Sequence, residues 1–282
     1  MVWRRFAVVG SPIAHSLSPV LHRTAYASLG VQDAEYGRYD VPAGSLEDFL
    51  TRGPGRELDG LSVTMPGKPE AVALAVEADA TSRALGVANT LLRRADGQWR
   101  AENHDVHGIA AALRDHGAVS PRSGAVLGSG ATALSAVAAL IELGVERLLL
   151  SARSPEKLAP MERFAQERAV EVRRIPWEHH HQVLAADAVV SALAVDGARA
   201  VAEAWRTLPS DVLELPGALL DVLYDPWPAP LAAVLAERGG EVADGLEMLA
   251  HQADMQLRSM LGISAAPLAQ MLGAAREELG RS

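Results

Sequence analysis

The stretch from Ala125 to Ala133 constrains the fold more than any other. Ala125-Val126-Leu127 is a short apolar run with the residue types of a buried strand. Gly128-Ser129-Gly130-Ala131-Thr132-Ala133 follows at once, and then an apolar helical stretch to Leu143. A buried strand that turns through two glycines into a helix opens a βαβ unit. In that context the Gly-x-Gly-x-x-Ala spacing is a dinucleotide fingerprint. The glycines permit a tight turn, and a pyrophosphate can reach the backbone where the helix N-terminus favours negative charge. Gly128, Ser129, Gly130, Ala131, Thr132 and Ala133 are therefore expected at a cofactor.

The chain beyond this turn keeps one grammar. Leu148-Leu149-Leu150, Val170-Glu171-Val172, Ala188-Val189-Val190, Leu219-Leu220-Asp221-Val222 and Glu241-Val242-Ala243 read as strands separated by helical stretches. Strands alternating with helices predict a parallel, doubly wound sheet. The end of the second strand selects the dinucleotide. An NAD site places an acid there for the ribose hydroxyls. Here the sequence is Ser151-Ala152-Arg153-Ser154, with no acid until Glu156. Arg153 can fork onto a 2′-phosphate with help from Ser151 or Ser154, so the expected cofactor is NADP(H).

Before the loop Gly117 to Gly124, which reads as a domain boundary, the pattern is mixed α/β. Strands are expected at 6–9, 36–41, 61–64 and 86–92, and Asp96-Gly97 turns the last of these back through 98–101 as a hairpin. Ser18-Pro19 reads as an N-cap and first helical residue, with the helix stopping at Gly30. A short helix is expected at 45–50, an Ala-rich one from Lys68 to about Ala78, and another opening at Asp105. Helices at 245–260 and 267–279 close the chain.

Within this part, Leu61-Ser62-Val63-Thr64-Met65-Pro66-Gly67-Lys68 is the stretch with chemistry in it. Leu61 and Val63 alternate with Ser62 and Thr64, which predicts one apolar and one polar face. Pro66 and Gly67 end the strand and put Lys68 just past it. The chain has 26 Lys plus Arg, and only Lys68 and Lys157 are lysine. Arginine does not give up its proton in a protein, whereas lysine can be tuned to do so. Ser16 and Ser18 stand at a helix N-terminus, where a carboxylate or phosphate is favoured. Asn89 falls in an expected strand, where an amide is disfavoured unless it has a partner.

The formal charge of −9 carries no basic stripe, which excludes nucleic acid as the main partner. There is no cysteine, hence no disulfide and no thiolate metal site. His179-His180-His181 is expected to be a solvated run rather than a metal cage, because adjacent residues do not share a helical face, and no metal is expected. The N-terminus runs straight into a strand with too short an apolar run for a signal peptide, and no segment is long enough to span a bilayer. A soluble, cytoplasmic protein is expected, monomeric or homodimeric, with a small molecule rather than a protein as its partner.

Seven segments in order resemble the shikimate dehydrogenase family. They are Gly10-Ser11-Pro12-Ile13-x-His15-Ser16-x-Ser18-Pro19-x-x-His22, Val63-Thr64-Met65-Pro66-x-Lys68, Ala88-Asn89-Thr90, Asn103-x-Asp105, the glycine loop, Asp221-Val222-Leu223-Tyr224-Asp225-Pro226-Trp227-Pro228 and Gly245-Leu246-x-Met248-Leu249-x-x-Gln252. The wording is most similar to the actinobacterial branch. The resemblance implies reversible reduction of 3-dehydroshikimate to shikimate with NADPH, on the route to chorismate. It also implies the architecture, with a substrate-binding catalytic domain at 1–106 completed by helices at 246–282, and a Rossmann NADP-binding domain at 107–245.

The resemblance assigns roles residue by residue. Lys68 would be the general acid and base, with Asp105 beside it. Ser16, Ser18 and Tyr224 would hold the substrate carboxylate. Thr64, Asn89, Asp105 and Gln252 would hold the ring hydroxyls, and Gly245 would let the nicotinamide approach. The chain departs from the family's usual residues at several points. His104 replaces a threonine, Arg23 and Ser62 each replace an asparagine, and Ala152-Arg153-Ser154 replaces Asn-Arg-Thr. Ser191-Ala192-Leu193 stands for Asn-x-Thr, and Ala229-Pro230-Leu231 for Thr-Pro-Leu. Weaker discrimination of the 2′-phosphate is expected. Two alternatives stay open: a quinate or aminoshikimate dehydrogenase with relaxed NAD/NADP use, and a non-catalytic NADP-binding sensor.

Overall fold

The structure is a computed structural model and describes residues 3–209 and 215–280. The chain divides into two compact units, Met1–His104 with Leu249–Ser282, and Asp105–Met248. The first break falls ahead of Asp105, not in the loop 117–124. The helix Asp105–Asp115 packs on the helix that follows the glycine turn and so belongs with the second unit.

In the first unit the described residues form a six-stranded sheet. Its strands are β1 (Arg4–Gly10), β2 (Ala34–Asp40), β3 (Gly60–Val63), β4 (Glu77–Ala78), β5 (Thr90–Arg93) and β6 (Trp99–Glu102), in the order β2-β1-β3-β5-β6-β4. The pairs β1–β2 and β1–β3 are parallel, and β3–β5 and β5–β6 are antiparallel. Helices α1 (Ser18–Leu29), α2 (Leu46–Thr51), α3 (Lys68–Leu74) and α4 (Ala80–Leu85) connect them. One face buries Ala7, Val9, Leu46, Leu61, Leu91 and Trp99 together. Burial of such side chains is the main favourable term, roughly 1.5–3 kcal/mol for each large one.

Local expectations shift here in three places. The Ala-rich helix stops at Leu74 and Ala78 lies in β4, because the short helix is followed by a strand pairing with β6. Residues 86–89 are not strand. Gly86 closes α4, and Asn89 stands just ahead of β5. Helix α1 begins at Ser18 with Leu17 at the cap position, and the hydroxyl facing the Ser18 N–H at 3.4 Å is that of Ser16.

The second unit opens with α5 (Asp105–Asp115). Its described residues hold a five-stranded, all-parallel sheet. The strands are β7 (Ser123–Leu127), β8 (Arg147–Ser151), β9 (Glu171–Arg174), β10 (Ala188–Ser191) and β11 (Ala218–Asp221), in the order β11-β10-β7-β8-β9. Helices α6 (Ala131–Glu142), α7 (Ala159–Gln166), α8 (Val195–Arg206) and α9 (Pro230–Ala236) link them. This is the doubly wound arrangement, with the order reversing beside β7. Leu127, Val189, Trp205, Leu219 and Leu235 share one core.

The expected strand at 241–243 reduces to a single parallel bridge between Leu220 and Ala243, because the next helix starts two residues later. The histidine run also differs from expectation. His180 is buried, and its Nδ1 accepts from Trp205 Nε1 at 2.8 Å. Among the described residues no group of histidines and acids could hold a metal ion. Helix α10 (Gly245–Leu261) passes from the second unit into the first, and α11 (Leu268–Glu278) packs on α1. No helix among the described residues is long and apolar enough to cross a membrane.

Candidate active site

In the first unit the candidate residues sit at the ends of β1, β3 and β5 and on α10. Thr64 follows β3 directly, donating its N–H to Val9 O at 2.9 Å and accepting from the Gly67 N–H at 2.9 Å. That turn delivers Lys68 as the first residue of α3, buried, with its carbonyl accepting from Ala88 N at 3.0 Å. A lysine is rarely buried. Ser16 lies in the loop before α1, and the Arg38 guanidinium fastens this loop by donating to the carbonyls of Ala14 and, at 2.6 Å, of Ser16. Ser18 is buried at the start of α1.

Asn89 is the hub. Its Oδ1 accepts from the His104 N–H at 2.9 Å and from Thr90 Oγ1 at 2.9 Å, and its Nδ2 donates to Gln252 Oε1. Asn89 and Gln252 are 163 positions apart in the chain, yet α10 brings them together. The amide that the strand pattern disfavours thus has partners on both ends.

The segment leading to Asp105 is pinned from three sides. Asn103 N–H donates to Asp79 Oδ2 at 3.0 Å, Asn103 Nδ2 donates to Val87 O at 3.1 Å, and His104 N–H holds Asn89. The His104 ring turns to Glu102, with Nε2 at 2.9 Å from Oε2, and Ser259 Oγ donates to the same oxygen at 2.8 Å. Burial by itself would push the Glu102 carboxyl up. The hydrogen bonds from His104 and Ser259 and the charge of Arg100 outweigh it and bring the group down to about 2.

Sequence reasoning missed a second buried set. Tyr36 donates its hydroxyl to Ser62 Oγ at 2.5 Å, and Ser62 donates to Gln256 Oε1 at 2.8 Å. All of β3 is buried, so the polar face that the alternation predicts turns Ser62 into this set of bonds. His22 stacks on Tyr36 with ring centroids 3.9 Å apart, and burial lowers its pKa to about 3, leaving the ring neutral. The available signal was the pairing of Gln252 with Gln256, four apart on one helix face.

In the second unit Asp105 is buried as the first residue of α5, where a carboxylate suits the helix dipole. The glycine turn has the geometry a pyrophosphate needs. Gly128 adopts φ +120°, and a Cβ there would lie 2.7 Å from Ala192 O, so glycine is required. Gly130 caps α6 without a side-chain bond, and a Cβ on it would meet nothing within 4 Å. The N–H groups of Ala131, Thr132 and Ala133 are the first of α6, which a helix leaves without intrahelical partners, and Ser129 is half-buried in the turn. Arg153 is exposed just past β8, beside half-buried Ser154, and makes no ion pair among the described residues. These residues fit a 2′-phosphorylated dinucleotide.

Tyr224 is half-buried three residues past β11. Gly245 is the first residue of α10. A Cβ there would collide with the Val222 carbonyl, so this glycine is required by the backbone crossing itself. Asp221, at the end of β11, is fully buried with Oδ1 accepting from Leu223 N at 3.2 Å and Oδ2 without a partner. Burial pushes it up to about 7 against the pull of that N–H.

A doubly wound unit with this turn, in one chain with a mixed α/β unit that gathers a buried lysine, amides and hydroxyls, defines a dinucleotide-dependent oxidoreductase. Comparison with known proteins narrows the class. Residues 8–91 match the family described as the shikimate dehydrogenase substrate binding domain. The NADP+ shikimate dehydrogenase of a Synechococcus species is 31% identical, covering 97% of this chain and 94% of that protein. The crystal structure of Mycobacterium tuberculosis shikimate dehydrogenase superposes with a TM-score of 0.84 at 39% identity, covering 97% of this chain and 99% of that one. That of the Thermus thermophilus enzyme in complex with NADP(H) and shikimate gives 0.82 at 30% identity, covering 97% and 99%. The chain belongs to the shikimate dehydrogenase family.

Proposed function

We propose that the chain is an NADP-dependent shikimate dehydrogenase that interconverts 3-dehydroshikimate and shikimate, with Lys68 as its general acid and base. The observation that carries this reading is the buried Lys68 at the start of α3, in the same unit as the Asn89–Gln252 amide pair. Bound NADP(H) supplies or accepts the hydride. Lys68 protonates the oxygen as its charge develops during reduction and takes the proton back during oxidation, a role worth roughly 10²–10⁴-fold in rate. Asp105 is the carboxylate assigned to the same proton network. Thr64, Asn89 and Gln252 orient the ring hydroxyls, while Ser16, Ser18 and Tyr224 take the carboxylate.

The glycine turn from Gly128 to Ala133 takes the pyrophosphate, and Arg153 with Ser154 takes the 2′-phosphate. The exposed Arg153 past β8 supports NADP over NAD, because it makes no ion pair with an acid among the described residues. The enzyme is read as cytoplasmic, monomeric or homodimeric. Initial rates of NADP+ and NAD+ reduction, with shikimate and separately with quinate, test the reading. Fast turnover with shikimate and NADP+ supports it. Preference for quinate or NAD+ reassigns the substrate or cofactor, and silence in all four assays points to a binding protein without turnover.

A further inference from the structure

Two backbone groups decide which way the amides of the first unit face. Gln256 presents one end of its amide 3.1 Å from the Asn89 carbonyl, which can only accept, so that end is the NH2 group. Its oxygen therefore faces Ser62. The His104 N–H, which can only donate, fixes the Asn89 oxygen in the same way. With these two amides set, every hydrogen bond runs in one direction. Tyr36 donates to Ser62, Ser62 to Gln256, Gln256 Nε2 to Thr90 Oγ1 at 3.0 Å, Thr90 to Asn89, and Asn89 to Gln252. The chain ends on Gln252 with its oxygen already engaged, so the group it turns outward is the NH2.

We propose that Gln256 is a positioning residue for the substrate site: by donating to the Asn89 carbonyl and to Thr90 it holds Asn89, whose amide the His104 N–H orients, where it keeps Gln252 a hydrogen-bond donor toward a substrate oxygen. The inference rests on the reading that Gln252 meets the substrate. Gln256 itself is buried and touches Ser62, Thr90 and Asn89 rather than the substrate. Without it, Asn89 keeps the His104 N–H that orients its amide, but the Asn89 carbonyl and Thr90 lose their donor, and the Asn89–Gln252 pair is no longer held at one position. A displaced Gln252 no longer meets the substrate oxygen at hydrogen-bond distance. The chain also gives Ser62 a specific part. A serine is short enough to accept from Tyr36 and donate to an amide arriving from α10.

The test is a double-mutant cycle in the full-length protein, with Gln256→Met, which keeps length and packing but makes no such bonds, and Gln252→Met. The expected result is a rise of about tenfold in KM for shikimate for each single variant, the size of one to two lost buried hydrogen bonds. KM for NADP+ stays within about twofold, and the double variant is scarcely worse than Gln252→Met alone. A purely structural Gln256 would lower the melting temperature and leave KM unchanged, or add its full factor in the double variant; either overturns the inference. If Gln252→Met leaves KM unchanged, the assignment of Gln252 to the substrate falls, and the inference with it. Thr90→Val breaks the same chain one link further on and is expected to match Gln256→Met, which keeps the proposal testable if that variant does not fold.

Discussion

The Nε2 of His104 lies 2.9 Å from Oε2 of Glu102, and this contact turns the imidazole preceding Asp105 onto its own unit's buried carboxylate. The carboxyl is held at about 2, below an unfolded value near about 4.3. A depressed acid stabilises the fold above its unfolded pKa, and that contribution disappears as pH falls from about 4.5 to about 2. Glu102→Gln is expected to lower the urea midpoint at pH 7 and to differ less from the parent at pH 3. An equal difference at both pH values would deny Glu102 this role.

Asp221 has the opposite sign. Its folded pKa of about 7 lies above the unfolded value, so between about pH 4 and 7 the folded state keeps a proton that the unfolded chain has lost. Stability therefore falls as pH rises through that window. Asp221→Asn carries no such cost and is expected to gain melting temperature over the parent at pH 8 relative to pH 5. A difference that does not change with pH would contradict the assignment.

The two units were unequally legible in the sequence. Four of the five parallel strands of the second unit are mostly buried, so each shows as an apolar run, and the glycine turn follows one of them directly, while the exposed β9 was legible from its place in the strand–helix alternation. The exception is 241–243, where only Ala243 finds a partner before α10 begins, a matter of spatial reach rather than composition. In the first unit Lys68 and Asn89 were marked by residue type against local context, and Thr64 by the family resemblance. The partner of Ser62 was not legible, because Gln256 is 194 positions away and no local period reports that contact. Glu102 and Ser259 escaped for the same reason, at a separation of 157.

Arg153 is exposed past β8 without an ion pair among the described residues. A guanidinium bonded to a 2′-phosphate contributes about 1.5–3 kcal/mol, or roughly ten- to a hundredfold. Arg153→Ala should raise KM for NADP+ by at least about tenfold while leaving that for NAD+ within about twofold. Equal effects on both cofactors would show that Arg153 does not read the phosphate.

Gly128 combines φ +120° with a Cβ position 2.7 Å from Ala192 O. Gly128→Ala is expected to destabilise the second unit by about 1–3 kcal/mol of backbone strain. Thermal unfolding checks the stability, and titration with NADP+ should show weakened binding because the turn must move. Unchanged stability and binding would mean that the turn tolerates a side chain.

Lys68 bears the central claim. Steady-state oxidation of shikimate with NADP+ by Lys68→Ala, alongside equilibrium binding of shikimate, tests it most directly. Loss of the proton-transfer group predicts a fall in kcat of at least about 10²-fold with shikimate affinity changed by less than about threefold. A variant with near-parental kcat would contradict the role of Lys68 as general acid and base.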